Sequence, residues 1–277
     1  MTDNSNNIVN LDNITDKRVY NEYNSYWENI GNFIRKQGNL DIYNITFNNE
    51  CPRIDNVIYK GNTIKIDNNY ELKKQYHNTT LSYIENIIAN SNYDVIIELG
   101  SGWGRNLFYF IKHCNHNKHK YISGEYTQSG IDIQNYLKNR FFNRDDIDLD
   151  IYSFDYNNSH LFFDNIKAKY NLNNIFVFTH HSIEQITYLQ DTFFTNLLNI
   201  SKNIKCVHIE PIGWQISNKS LMKENTSGYS AYYNKNLYEK LQNLQNDNKI
   251  TINNVILDYF NFGGPQSCGT LVEWTKL

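Results

Sequence analysis

The sequence predicts an α/β protein: a seven-stranded, mostly parallel sheet with helices on both faces and an antiparallel terminal strand pair. Three observations predict it. From Tyr93 onward, short runs rich in Ile, Val, Phe and Tyr alternate with segments of helical period. Such alternation gives parallel strands whose crossover helices cover the two sheet faces. The last two apolar runs, "INNVILDYF" (252–260) and "GTLVEWTK" (269–276), have no helix between them and should pair as a hairpin. Third, 277 residues with 40% hydrophobic content suffice for one large core.

The elements follow in order. Residues 1–20 are polar and without period, so a disordered tail is expected. Residues 21–92 read as a helical and loop segment forming part of an acceptor pocket. Within it, residues 20–60 suggest a short helix with loops. Residues 71–91 read as a helix with Leu81, Ile84, Ile87 and Ile88 on one stripe. The domain proper is expected at 93–277. Its strands are "DVIIELG" (94–100), "KYISGEY" (120–126), "DLDIYSFD" (148–155), "NIFVFTH" (174–180) and "KCVHIEP" (205–211), then the terminal pair. Helices are expected at 105–114, 129–142, 159–170 and 190–201 between them, and at 234–245 before the pair. Residues 211–235 interrupt the alternation with a long polar, aromatic-dotted stretch. At a strand's carboxyl end this reads as a lid or substrate-binding insertion.

Bulk properties narrow the function. A net charge of −3 and a pI near 6.2 disfavour a general nucleic-acid binder. No run of about 20 apolar residues is present, and the polar start carries acids where a signal peptide needs bases, so a cytoplasmic protein is expected. Cys51, Cys114, Cys206 and Cys268 match no zinc spacing and read as free thiols. The 22 tyrosines read as codon bias rather than as a stacking surface.

The first strand ends in Glu98-Leu99-Gly100, and Gly102 and Gly104 follow. Ligands of open α/β sheets bind beyond strand carboxyl ends. A phosphate loop would need Gly-Lys-Ser/Thr, and Arg105-Asn106 stand there instead. A dinucleotide fingerprint would need a third glycine at position 105. Glu98 would also set a negative charge beside a pyrophosphate. The acid suits a ligand carrying an amino group and a sulfonium.

Here the chain resembles the class I S-adenosylmethionine-dependent methyltransferases, whose first motif "VIIELGSGWG" is similar to. The resemblance spans roughly residues 71–277 and is specific at that motif. It implies that Gly100, Ser101, Gly102, Trp103 and Gly104 contact the methionine part of S-adenosylmethionine, with Glu98 near its amino group. It implies that Glu125, with Tyr126 beside it, takes the ribose hydroxyls. It implies further that Asp155 and Tyr156 meet the adenine and that Thr179 lies at the cofactor's edge. Each position has a plainer alternative: glycines for packing, a surface acid, a helix cap at Asp155.

The fourth strand runs into Thr179-His180-His181-Ser182, without the Asp/Asn-Pro-Pro-aromatic motif of amino-methylating base methyltransferases. A hydroxyl acceptor benefits from a base, and a histidine titrates in the useful range. His181 is favoured over His180, and packing histidines remain open. Glu184 reads as an imidazole-orienting or substrate-binding acid, or as one that stabilises a helix start. Glu210, Trp214 and Tyr229 are expected to bind substrate, with Glu210 alternatively a capping acid. No metal is expected. The acceptor expected is a small polar molecule: a sugar, nucleotide sugar or phosphorylated or phosphoramidate precursor. "FTHHSIEQI" and "HIEPIGW" are similar to methyltransferases of bacterial surface-polysaccharide clusters. Alternatives are an RNA or protein methyltransferase, or a non-catalytic cofactor-binding scaffold.

Overall fold

The computed structural model describes residues 16–36, 56–66, 77–114, 119–141, 147–224, 232–262 and 267–277. The chain opens with α1 (Lys17–Lys36), capped by the Asp16 side chain, which accepts the Val19 N–H at 3.0 Å. A hairpin of β1 (Asn56–Tyr59) and β2 (Asn62–Lys65) follows. One π-helical turn (His77–Leu81) leads into α2 (Ser82–Ala89). The alternating region then gives β3 (Val95–Leu99), α3 (Arg105–His113), β4 (Lys120–Glu125), α4 (Gln128–Phe141) and β5 (Leu149–Ser153). It continues with α5 (Ser159–Lys169), β6 (Asn174–His180), α6 (Asp191–Leu198) and β7 (Asn203–Glu210). The chain closes with a short α7 (Gly213–Ile216), α8 (Leu237–Asn246), β8 (Ile250–Phe262) and β9 (Gly269–Lys276).

Among the described residues nine strands form one sheet in the order β2-β1-β8-β9-β7-β6-β3-β4-β5. Strands β7, β6, β3, β4 and β5 are mutually parallel, and β9 lies antiparallel between β7 and β8. The expected terminal hairpin is therefore present. The expected seven strands become nine, because the β1–β2 hairpin pairs with β8 (Val57↔Phe262, Tyr59↔Phe260). Other boundaries move too: the tail expected to reach residue 20 gives way to helix by Lys17, and the short helix expected in 20–60 runs for 20 residues.

Alternation along the strands sorts the core onto two faces. Ile96, Phe176, Phe178, Val207 and Ile209 pack with α1 to α4 on one face. Val95, Ile97, Leu99, Ile175, Val177 and Cys206 pack with α5, α6 and α8 on the other. Strand order reverses at β3–β6, which opens a crevice at their carboxyl ends. After β7 the chain is anchored to the sheet at Ser220 and Leu221. Asp258, at a left-handed residue (φ 49°) in β8, accepts the Ser220 hydroxyl at 2.7 Å and the Leu221 N–H at 2.8 Å. Among the described residues no helix is long and apolar enough to cross a membrane.

Candidate active site

The crevice begins at the turn after β3. Gly100, Gly102 and Gly104 all have positive φ (70°, 57° and 84°), which L side chains adopt at a cost. Space forbids substitution as well: a Cβ on Gly100 would come within 2.3 Å of Ser182 Cβ, and one on Gly102 within 2.7 Å of the Trp27 ring. Gly100 and Ser101 donate to the Gly124 carbonyl, tying the turn to β4. Ser101 is buried, with its hydroxyl 2.5 Å from Ser123 Oγ and accepting from Gln134 Nε2 at 3.0 Å. Trp103 is buried below the turn.

Glu98 is buried at the end of β3. Its Oε1 accepts from Asn106 Nδ2 at 2.7 Å, while Oε2 is buried with no hydrogen-bond partner. Burial pushes its pKa up to about 8, against the Asn106 hydrogen bond and the nearby Arg105 charge. A buried carboxyl oxygen left without a partner on a cavity wall is open to a donor from a bound ligand. Glu125 ends β4, also buried. One oxygen accepts the Gly102 N–H at 2.8 Å; the other accepts the Thr127 N–H at 2.9 Å and hydroxyl at 2.6 Å. Burial raises its pKa as well. Asp155 caps the turn after β5, accepting the Asn157 N–H at 2.8 Å, yet it also lines the crevice. Tyr156 is buried there, with its hydroxyl 2.7 Å from Ser182 Oγ and 3.2 Å from the Leu99 carbonyl oxygen.

The α1 region, within the segment expected to build a pocket wall, lines the crevice. Asp16, Val19, Tyr23 and Trp27 of the α1 region lie over Gly100, Gly102, Glu125, Tyr126 and Asp155. The Tyr126 hydroxyl pins the helix start, accepting from the Asp16 N–H at 3.0 Å and lying 3.3 Å from its carbonyl. Asn24 accepts the Ser129 N–H at 2.9 Å. The signal was in the sequence: Val19/Tyr20, Tyr23, Trp27, Ile30 and Ile34 recur at helical spacing. Tyr23 and Trp27 on that stripe line the crevice, and Trp27 also packs against the core.

Beyond the glycine turn the crevice widens into a cavity of about 510 Å3. Its walls include Tyr23, Tyr26, Trp27, Tyr233 and Phe260, with Glu22, Arg105, His180, His181 and Glu184 among its polar groups. His181 sits at φ 53°, and its Nδ1 lies 2.9 Å from Glu184 Oε2. Gln185 holds the other Glu184 oxygen at 2.8 Å. An imidazole that gives its Nδ1–H to a carboxylate presents Nε2 as the acceptor. Burial would depress the His181 pKa, but the Glu184 charge and hydrogen bond outweigh it and the pKa is raised. Its neighbour His180, 4.8 Å away between ring centroids, is driven well down by burial and by the His181 charge. The two neighbouring imidazoles are thus pushed in opposite directions.

The other expected site residues lie elsewhere. Glu210 is fully buried and lines neither part of the crevice; both its oxygens accept backbone N–H groups. Its carboxylate is engaged by the Ser182 and Glu184 N–H groups, not presented to the crevice where substrate binding was expected of it. Thr179 is buried against His208, with Oγ1 3.0 Å from Nδ1, and Trp214 lines neither part. Tyr229 falls outside the described residues. Among the described residues no cluster of three His, Cys, Asp or Glu is arranged to hold a metal.

No protein-family profile and no curated protein sequence matches the chain. Solved structures do. An O-methyltransferase from Bacillus cereus in complex with SAH aligns over 91% of this chain and 99% of its own, at 10% identity and a TM-score of 0.51. The fold is that of the class I methyltransferases. A SAM-dependent methyltransferase from Aquifex aeolicus aligns over 75% of this chain and 98% of its own, at 12% identity and a TM-score of 0.46. In this chain the β1–β2 hairpin extends the sheet edge beyond β8, and α1 lies over the crevice.

Proposed function

We propose that this chain is an S-adenosylmethionine-dependent methyltransferase acting on a hydroxyl of a small polar acceptor. One observation carries the reading. The orphaned Glu98 oxygen, the Glu125 carboxylate and the His181–Glu184 pair face one crevice at the strand-order reversal. The residues fit the cofactor. Glu98 offers an anionic acceptor to its amino group, and the turn at Gly100 and Gly102 borders the crevice beside it. Glu125 keeps lone pairs for ribose hydroxyls, and Asp155 and Tyr156 border the adenine end. When bound, S-adenosylmethionine supplies an electrophilic methyl group.

The chain's own residues supply the rest. The cavity walls orient the acceptor, and much of the rate comes from that placement. His181 takes the hydroxyl proton at Nε2, while Glu184 fixes the tautomer through Nδ1 and stabilises the imidazolium. The aromatic faces of Tyr23, Tyr26, Trp27 and Tyr233, with Glu22 and Arg105, suit a sugar or nucleotide sugar, of the kind that supplies surface polysaccharides. Net acidity argues against an RNA substrate.

Calorimetry with S-adenosylmethionine and S-adenosylhomocysteine tests the reading. Micromolar binding of both is expected, and binding of neither would end it. Methyl transfer to a panel of nucleotide sugars, phosphosugars and phosphoramidates tests the acceptor. Binding without transfer to any of them would favour a non-catalytic scaffold. Tyr126→Phe removes the pin on α1. S-adenosylhomocysteine should then bind about fivefold more weakly, about one hydrogen bond's worth, and amide exchange should quicken over residues 17–27. Unchanged exchange there would show that the pin is idle.

A further inference from the structure

His181 stands in a conformation that needs support. Its φ of 53° puts an imidazole-bearing residue in the left-handed region, at the junction of β6 and the turn Ile183–Gln185. A non-glycine residue pays a strain cost there and stays only when its surroundings hold it. The preceding side is held by the His181 N–H, which donates to the Ile209 carbonyl at 3.1 Å. The following side is held by Glu210. Its two oxygens accept the Ser182 N–H at 3.2 and 3.1 Å, and one also accepts the Glu184 N–H at 3.1 Å.

We propose that Glu210 is a positioning residue for His181. From the end of β7 its buried carboxylate locks the left-handed turn and so aims the His181–Glu184 pair into the cavity. The inference rests on the reading of His181 as the base.

A chain of fixed donors feeds this carboxylate. Trp274 Nε1–H donates to His208 Nε2 at 3.0 Å. Indole nitrogen is only a donor, so His208 must carry its proton on Nδ1, which then donates to Thr179 Oγ1 at 3.0 Å. The Thr179 hydroxyl is left to donate to Glu210, to which it is hydrogen-bonded. Burial drives the His208 pKa down to about 3, so this imidazole stays neutral. The chain explains why Thr179 and Glu210 sit at strand ends beside the crevice yet touch no part of it. Glu210 also acts on His181 through its charge, one of three groups that do so from separate elements: Glu184 from the turn, Glu210 from β7 and Arg105 from the start of α3, with the His180 ring of β6 beside them. Glu22 of α1 borders the same cavity.

NMR titration of the His181 ring in the ligand-free protein tests the proposal. Glu210→Gln keeps the shape and removes the charge. The His181 step should move to lower pH by at least about half a unit. With an identified acceptor, kcat should fall at least about tenfold while KM for S-adenosylmethionine holds. A His181 step that coincides with the wild-type one would overturn the proposal. If the buried substitution prevents folding, the wild-type protein carries the test. The Ser182 and Glu184 amide protons should exchange slowly and should shift with pH in one common step, that of the Glu210 carboxyl. Fast exchange, or the absence of a common step, overturns it equally. The titration needs neither cofactor nor acceptor. An active His181→Ala variant would remove the base reading and leave the titration result standing.

Discussion

Glu98→Gln is expected to stabilise the ligand-free protein at pH 8 and to abolish its binding of S-adenosylhomocysteine. The first effect follows from burial. A carboxyl whose pKa rises on folding holds its proton more tightly folded than unfolded. Its contribution is intact below the unfolded value near 4.5 and is lost as pH climbs towards the folded value of about 8. Glutamine has no charge to desolvate, so the loss disappears. The gain is on the order of 2 kcal/mol after allowing for the amide's own unpaired hydrogens, or a Tm rise of roughly 5 °C. The second effect follows from the orphaned Oε2, which glutamine turns from an anionic acceptor into a donor facing an ammonium group. Thermal melts at pH 6 and pH 8, with calorimetry beside them, check both. The stability difference between wild type and variant should be larger at pH 8. Equal differences at the two pH values, or full ligand affinity, would contradict the account. Glu125 and Glu210 carry raised pKa values for the same reason, so the variant still loses some stability as pH rises.

His181→Ala should lower kcat by about 10²- to 10⁴-fold and leave S-adenosylhomocysteine affinity unchanged. The base works only when unprotonated, and Glu184 raises its pKa above the ordinary 6.5. Activity should therefore climb with pH through the His181 titration and level off above it. Glu184→Gln takes away the carboxylate that raises the pKa, so the rising limb should move to lower pH while the plateau falls. An unchanged pH profile in Glu184→Gln would separate the pair functionally despite their 2.9 Å contact.

The strands β3 to β9 were legible because each is an apolar run bounded by polar segments, and a parallel sheet buried on both faces writes itself that way. The glycine turn was legible because three glycines and an acid at one strand end answer to few ligands. The β1–β2 hairpin was not. Its strands are four residues each, "NVIY" and "NTIK", inside a polar stretch, and their partner Phe262 lies about 200 residues away. Local pattern carries no record of such pairing. Glu210 and Trp214 show a second limit. Position at a strand's carboxyl end places a residue near the crevice, but backbone donors within reach decide whether its side chain turns inward. Ser182 and Glu184 provided those donors.

The placement of the hairpin also bears on how the chain is made. β1 has no partner but β2 until β8 is available, and β8 ends at Phe262. During synthesis the early segments must wait for almost the whole polypeptide, a long-range closure of the slow kind. The α1 cover meets its partners sooner, since Tyr126 and Ser129 are reached about midway. The cofactor half of the crevice can thus be assembled on a nascent chain while the sheet edge beyond β8 is still unpaired. That edge is where a stalled or truncated chain would expose strand groups to its neighbours.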